Sequence, residues 1–228
     1  MKKTFTFISL FLVLNMFSQE GKIFFETNFN TFSQSSLKDF QQEFKVDLHP
    51  IPIKTVDDFP ANIGFTAGYE ITESNIALFL SYNSTGGKLS YSDYSGSVKI
   101  EESLNAITFG GIYYIDLNKE RKDLRIGLRG FSMYSNLDLD SYSKISNNIQ
   151  QENLGLTSID FGFGGQLDYE YPLSFLILKA TVGFDIVIGG KLIFKNNNEN
   201  YLINNSNKKV TTGWSGFRTG IGIVIPIN

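Results

Sequence analysis

The sequence predicts an all-β fold, an eight-stranded antiparallel up-and-down transmembrane β-barrel. Three observations carry it. Eight segments alternate apolar and polar residues, with cores at 23–31, 63–71, 76–83, 106–115, 124–134, 158–171, 175–189 and 214–227. The connectors alternate strictly: 32–62, 84–105, 135–157 and 190–213 are long, while 72–75, 116–123 and 172–174 are short. An even number of strands with long loops at one end and tight turns at the other is the layout of an outer-membrane barrel. Third, no segment holds 18 consecutive apolar residues, so helical membrane spans are excluded.

The leading segment comes first in the chain. Lys2 and Lys3 precede an uncharged, mostly apolar run from Thr4 to Phe17, too short to span a bilayer as a helix and of the form of a secretory signal. The expected organisation is a signal peptide over 1–18 and a barrel domain over 19–228, with cleavage after Ser18. Removing the two lysines takes the net charge from −3 to −5. The chain has no cysteine, so the exported protein has neither a disulfide framework nor a lipid-bearing cysteine. Mild acidity gives no reason to expect nucleic-acid binding. Mean hydropathy is close to neutral, as a barrel requires, because only every second strand residue must be apolar.

The sixth segment is the clearest strand. Ile159, Phe161, Phe163, Leu167, Tyr169 and Tyr171 share one face; Ser158, Asp160, Gly162, Gly164, Gln166, Asp168 and Glu170 share the other. A period of two sustained that long is incompatible with an amphipathic helix. The last segment sets Phe217, Thr219, Ile221, Ile223, Ile225 and Ile227 against Gly216, Arg218, Gly220, Gly222, Val224 and Pro226, with the proline at the strand end. The second opposes Ile63, Phe65, Ala67 and Tyr69 to Gly64, Thr66, Gly68 and Glu70. Two segments are less regular: Ile177 and Val187 fall on the polar face of the seventh, and Phe79 on that of the third.

The connectors agree. Tyr171-Pro172-Leu173-Ser174 and Thr72-Glu73-Ser74-Asn75 are turn material, and Asp116 to Asp123 is mostly charged. Gly86-Gly87, the Asn-rich stretch 196–207 and the Ser/Asn-rich stretch 141–149 read as loop. In the first long connector, apolar residues flank His49-Pro50 and Pro52; the prolines argue against further spanning strands and leave room for a short hairpin above the membrane.

A soluble barrel alternates too, with its apolar face inward. Three features favour the membrane. Tyr69, Tyr113, Tyr169, Tyr171 and Phe175 flank the tight turns, and Phe29, Tyr82, Tyr134, Trp214 and Phe217 lie toward the long loops, as two aromatic girdles. The polar face is glycine-rich, which suits a narrow lumen. It also carries Glu26, Glu70, Arg125, Arg129, Asp160, Asp168, Glu170, Lys179, Asp185 and Arg218, acids and bases able to pair inside a closed barrel.

At this point the chain resembles small outer-membrane β-barrel proteins of the eight-stranded OmpA/OmpX-like architecture, particularly those common in Bacteroidetes. The signal followed by Gln19-Glu20, the eight strands and the closing run Gly216 to Ile227 carry the resemblance over the whole mature chain. It departs in ending on Ile227-Asn228 rather than on an aromatic residue. It implies an outer-membrane location with both termini periplasmic, and outer-membrane lipid as surroundings.

Chemistry is sparse. His49 is the only histidine, near Asp47, Asp57 and Asp58 in the first long connector. Some eight-stranded outer-membrane enzymes act on acyl chains with such a histidine, but no spacing here identifies a nucleophile. Asp57, Asp58, Glu101 and Glu102 are the acids that a divalent cation would need, and they are scattered. No phosphate loop, dinucleotide fingerprint or serine elbow occurs. The expectation is a non-enzymatic barrel with no catalytic, cofactor or metal residues, acting structurally, in adhesion or in envelope assembly through its long loops and envelope protein partners. The alternatives are a lipid-modifying enzyme using His49, and a soluble periplasmic barrel holding a small apolar ligand.

Overall fold

The computed structural model describes residues 20–48, 51–117, 123–146 and 148–227. In chain order the elements are β1 (Gly21–Phe32), α1 (Ser35–Asp47), β2 (Lys54–Asp58), β3 (Asn62–Ile71), β4 (Ile76–Ser92), β5 (Gly96–Asp116), β6 (Leu124–Ile145), β7 (Asn148–Pro172), β8 (Ile177–Gly189), β9 (Ile193–Phe194), β10 (Asn197–Tyr201) and β11 (Gly216–Ile227). Each of β1, β3, β4, β5, β6, β7, β8 and β11 pairs antiparallel with its neighbour. The ring closes where β11 lies between β1 and β8 and where β8 pairs β7. The eight-stranded antiparallel barrel expected from the sequence is the fold observed.

Face assignments follow the alternation. Ile221, Phe161, Phe163, Phe65 and Leu128 are each more than half exposed on the outside, whereas the ten charged residues of the polar face are all buried inside. Outward apolar side chains run along β7 from Ile159 to Tyr171. At about 3.3 Å per residue and a tilt near 40°, that run stands about 30 Å tall, the thickness of a bilayer's hydrocarbon core. Gly68 and Gly162 show why the lumen is rich in glycine: a Cβ there would strike the rings of Phe24 and Phe131.

The long connectors differ from the loops expected. Two of them, 84–105 and 135–157, are largely strand: β4 and β5 continue to a turn at Asp93–Ser95, and β6 and β7 continue to a turn near Ser146. Their alternation goes on above the apolar belt with its polarity inverted. On β6 the outward residues change from Ile126, Leu128 and Tyr134 to Asn136 and Asp138, while the inward ones change from Arg125 and Arg129 to Leu137 and Leu139. The change falls at one level on four strands. Tyr82, Ile107, Tyr134 and Ile159 are aligned as the last apolar row, and Ser84, Asn105, Asn136 and Thr157 as the first polar row.

The first connector holds α1 and β2 rather than a hairpin. Leu37, Phe40, Gln41 and Phe44 recur at helical spacing, and Leu37, Phe40 and Gln41 are buried. Lys45 in the last turn suits the helix dipole, and Pro50 follows shortly after the C-cap Leu48. β2 pairs with β4 outside the ring. The Asn-rich fourth connector contains β9 and β10, the latter within the stretch expected to be loop. Here the chain closes on itself, because Leu192, Leu202 and Val210 exchange backbone hydrogen bonds and bury their side chains.

The aromatic girdles are present, with one correction. Tyr113, Tyr169, Tyr171 and Phe175 are exposed near the turns, and Phe29, Tyr82, Tyr134 and Phe217 near the long connectors. Trp214 is not among them. It is fully buried, packs edge-on against Phe32 at 5.3 Å and donates from Nε1 to Ser135 Oγ at 3.0 Å. The last strand begins at Gly216, so the alternation read back to 214 does not apply to it.

Candidate functional site: a charged lumen and an open sheet edge

Two features stand out from the barrel wall, a lumen packed with paired charge and a sheet edge left open above it. The lumen is lined by charge. Arg125 binds Glu70 through two hydrogen bonds (2.6 and 3.1 Å) and also pairs with Glu170, which takes a second contact from Lys22 at 3.1 Å. Lys179 lies 3.0 Å from Asp168 and 3.5 Å from Glu26, and donates to the Tyr114 hydroxyl at 3.3 Å. Arg218 spans Glu26 at 3.0 Å, Asp185 at 3.6 Å and the Gln166 amide oxygen at 2.8 Å. Arg129 faces Asp185 at 3.5 Å and stacks over Phe79 at 4.4 Å. Phe79, an exception to the sequence pattern, is thus the apolar seat of a buried guanidinium.

Asp160 stands apart from this network. Its carboxylate takes hydrogen bonds from the hydroxyls of Thr212 (3.1 Å), Ser158 (3.2 Å) and Ser135 (3.4 Å), immediately beneath Trp214. A cavity of about 10 Å³ lies between Arg129, Asp185, Thr108 and Trp214, room for one water molecule. The buried charged and polar side chains described above occupy the lumen, as the size of an eight-stranded barrel implies.

Above the charges lies an apolar cap. Leu37 and Phe40 of α1, Phe59, Leu104, Leu137, Leu156, Leu192 and Trp214 form its buried centre. Two buried polar side chains of this region, Gln41 and Glu102, bond to each other. Glu102 accepts a hydrogen bond from Gln41 Nε2 at 2.8 Å, and the same nitrogen donates to the Asp57 carbonyl at 3.1 Å. Burial pushes the Glu102 carboxyl up to about 7, the Gln41 bond opposes this and the nearby Asp58 charge adds to it. Glu101, its neighbour in sequence, points outward between Lys88 (3.2 Å) and Lys99 (2.7 Å). Hydrogen bonds from Lys99 and Lys88 hold its carboxyl below the usual range. The four acids considered for a cation therefore do not converge: Glu101 and Glu102 face opposite sides, and Asp57 and Asp58 sit exposed on β2. Among the described residues no group of three or more metal-ligating side chains gathers. His49 lies outside the described residues.

The second feature is the extended sheet β2-β4-β5-β6-β7 that rises past the apolar belt. Its two edges differ. β2 is a short edge bearing Lys54, Asp57 and Asp58, with an irregularity between Thr55 and Asp57 and with Pro52 and Pro60 at its flanks. Charge, bulge and proline are the usual guards against strand addition. The opposite edge is the start of β7, Asn148–Leu154, with β6 on one side and, among the described residues, no strand on the other; β9 takes up pairing only at Leu156 and Thr157. All seven residues are exposed, Glu152 is the one charged residue among them, none is proline, and the register to β6 is unbroken. The sequence reading missed this edge, although Leu137, Leu139, Leu154 and Leu156 keep the period of two through the supposed loop, on the opposite parity.

No family model matches this chain, and no curated protein does. Among solved structures it is similar to Neisserial surface protein A, at 12% identity and a TM-score of 0.42, with 90% of this chain and 96% of that one covered. It is also similar to Ail, the attachment invasion locus protein of Yersinia pestis, at 11% identity and a TM-score of 0.41, with 92% and 99% covered. A major outer membrane protein from Thermus thermophilus follows at 9% identity and a TM-score of 0.49, with 91% and 99% covered.

Proposed function

We propose that this chain is a non-enzymatic integral outer-membrane protein that binds other proteins at the cell surface by strand addition to Asn148–Leu154. The apolar belt between two aromatic levels supports the membrane setting, and the open edge, free of proline and of a bulge, carries the binding role. An open edge offers a row of unused backbone donors and acceptors to an extended segment of a partner, with side chains on alternate faces giving selectivity. The ion-paired lumen supports a structural interior rather than a pore or a cavity for a small apolar ligand.

The tight turns and both termini face the periplasm and the extended sheet faces outward, following the usual disposition of short turns and long loops. A cysteine introduced at Asn197 is labelled on whole cells by a membrane-impermeant reagent, while one at Lys119 is spared; inverted labelling would reverse the topology. Binding is tested by adherence of expressing cells to protein-coated surfaces. Lysine at Ile149 and Gln151 guards the edge without touching the ladder to β6, and abolishes adherence while surface abundance stays constant. His49→Ala leaves adherence and membrane lipid composition unchanged. A change in lipid acylation with that variant favours the lipid-modifying enzyme instead.

A further inference from the structure

A second surface lies at the upper margin of the apolar belt, on the far side of the fourth connector. The side chains of Lys191 and Lys209 both converge on the ring of Tyr201, their ammonium nitrogens 5.0 and 5.2 Å from its centroid. The strand bridges place these groups on one outward face, with Lys191 opposite Thr211 and Ile203 opposite Lys209. Leu192, Leu202 and Val210 point the other way into the cap. Neither lysine has a carboxylate within ion-pair distance among the described residues, and neither does Lys208 beside them. Lys195, the next cation along, is already engaged by Asp138 at 2.9 Å.

The height of this pair follows from register. Gly189 lies opposite Asp160, and Ile193 lies opposite Thr157, a member of the first polar row. Lys191 falls between them, where β7 passes from the last apolar row to the first polar one. Ile188, opposite Phe161 at the end of β8, is 62% exposed, and Ile203, opposite Lys209, is 46% exposed. Two uncompensated cations therefore share one aromatic ring at the boundary between hydrocarbon and headgroups. Single lysines at this level reach out toward water. Two that turn onto the same ring raise the local positive potential, and a membrane anion is the counter-charge within reach.

We infer that Lys191, Lys209 and Tyr201 form a binding site for the phosphate of an anionic lipid headgroup in the outer leaflet. The inference rests on the outward orientation of the fourth connector proposed above. The ammonium groups pair with the phosphate oxygens, Tyr201 orients the two lysines, and Ile188 and Ile203 receive the upper part of an acyl chain. A lysine close to a charged membrane surface contributes enough for the pair to change lipid retention by about tenfold.

Native mass spectrometry of the folded protein released from detergent tests this, with diphosphoryl lipid A, phosphatidylglycerol and phosphatidylcholine as probes. The expected result is one retained anionic lipid per protein in preference to phosphatidylcholine, reduced about tenfold by Lys191→Gln with Lys209→Gln. The same change at Lys144, far above the belt, leaves retention unaltered. Tyr201→Leu lowers retention while both charges remain, which separates an organised site from plain surface charge. Equal retention by the parent and the double variant overturns the proposal, as does equal retention of phosphatidylcholine. Displacement of the lipid by millimolar inorganic phosphate alone also overturns it, since the site would then recognise free phosphate. Impermeant labelling at Asn197 judges the orientation independently, so a wrong topology is distinguishable from a wrong ligand.

Discussion

The lower and upper halves of this molecule use the same strands with opposite polarity. Between the turns and the row of Tyr82, Ile107, Tyr134 and Ile159, the interior is a network of arginine, lysine and carboxylates and the exterior is apolar. Above that row the interior is leucine, phenylalanine and tryptophan, and the exterior is Ser103, Asn136, Asp138 and Asn153. The strands do not change register at the crossing, and each residue keeps the face that its parity assigns. What changes is the medium outside. Where hydrocarbon surrounds the barrel, burying outward apolar groups against protein gains nothing, and the lumen is free to hold paired charge. Where water surrounds it, the hydrophobic effect again drives apolar groups inward. The lower half is therefore held by backbone ladders and ion pairs, the upper half by a conventional core under α1 and the fourth connector.

The halves should fail differently when broken. Arg125→Met leaves Glu70 and Glu170 buried without their shared cation, and is expected to cost about 3–5 kcal/mol, read as a lower urea midpoint in lipid vesicles. Adding Glu70→Gln and Glu170→Gln should recover most of the loss; no recovery would mean that the arginine acts by packing over Tyr114, 4.1 Å from the guanidinium carbon. In the cap, Leu104→Ala removes a fully buried side chain, at a cost of about 2–5 kcal/mol. That loss should appear as faster hydrogen exchange in α1, with the lower ladders still protected. Uniform loosening of the whole barrel would deny the division.

The outer surface offers a direct contrast. Ile223→Arg, in the middle of the belt, is expected to cost about 2–4 kcal/mol. Ser103→Arg, outward on β5 above the polar row, should be neutral to within about 0.5 kcal/mol. Equal tolerance at both would move the boundary that the register places between them.

The smallest expected effect concerns Glu102. Its folded pKa, near 7, lies above the ordinary carboxyl value. The folded cap therefore holds a proton that the unfolded chain releases from about pH 4.5. The contribution to stability is full at acid pH and is lost as pH rises toward and through 7. Protease resistance of the segment around α1 should decline from pH 5 to pH 8, and Glu102→Gln should flatten that profile. Asp57 and Asp58 on β2 are the other acids packed near this carboxyl, and neither is buried. Asn substitutions at both should leave most of the slope in place.

Much of the lower half was readable residue by residue. The segment 158–171 fixed its own faces, and the ten charges assigned to the lumen are all there, because a period of two admits one inward set once the outward set is apolar. Even Phe79, Ile177 and Val187 kept their parity, though not their polarity. The upper half reads as loop because Gly86-Gly87 and the Ser/Asn-rich stretch 141–149 carry turn-forming residues, and that local composition masks the leucines that continue the alternation. Trp214 was set in a girdle because its neighbours alternate, but the strand starts two residues later and its ring turns inward.

The sequence by itself determined the number of barrel strands, their antiparallel order and which side chains face the lumen, since these follow from local alternation and connector length. Tertiary structure alone decided which acid meets which base, since Arg125, Glu70 and Glu170 come from three different strands whose spacing depends on barrel tilt. It also decided that α1 lies over the mouth, that Glu102 meets Gln41 rather than water, and that β7 overhangs its neighbours to leave Asn148–Leu154 open. A strand edge is open or covered according to what pairs beside it, and no local pattern in a single strand records its neighbour.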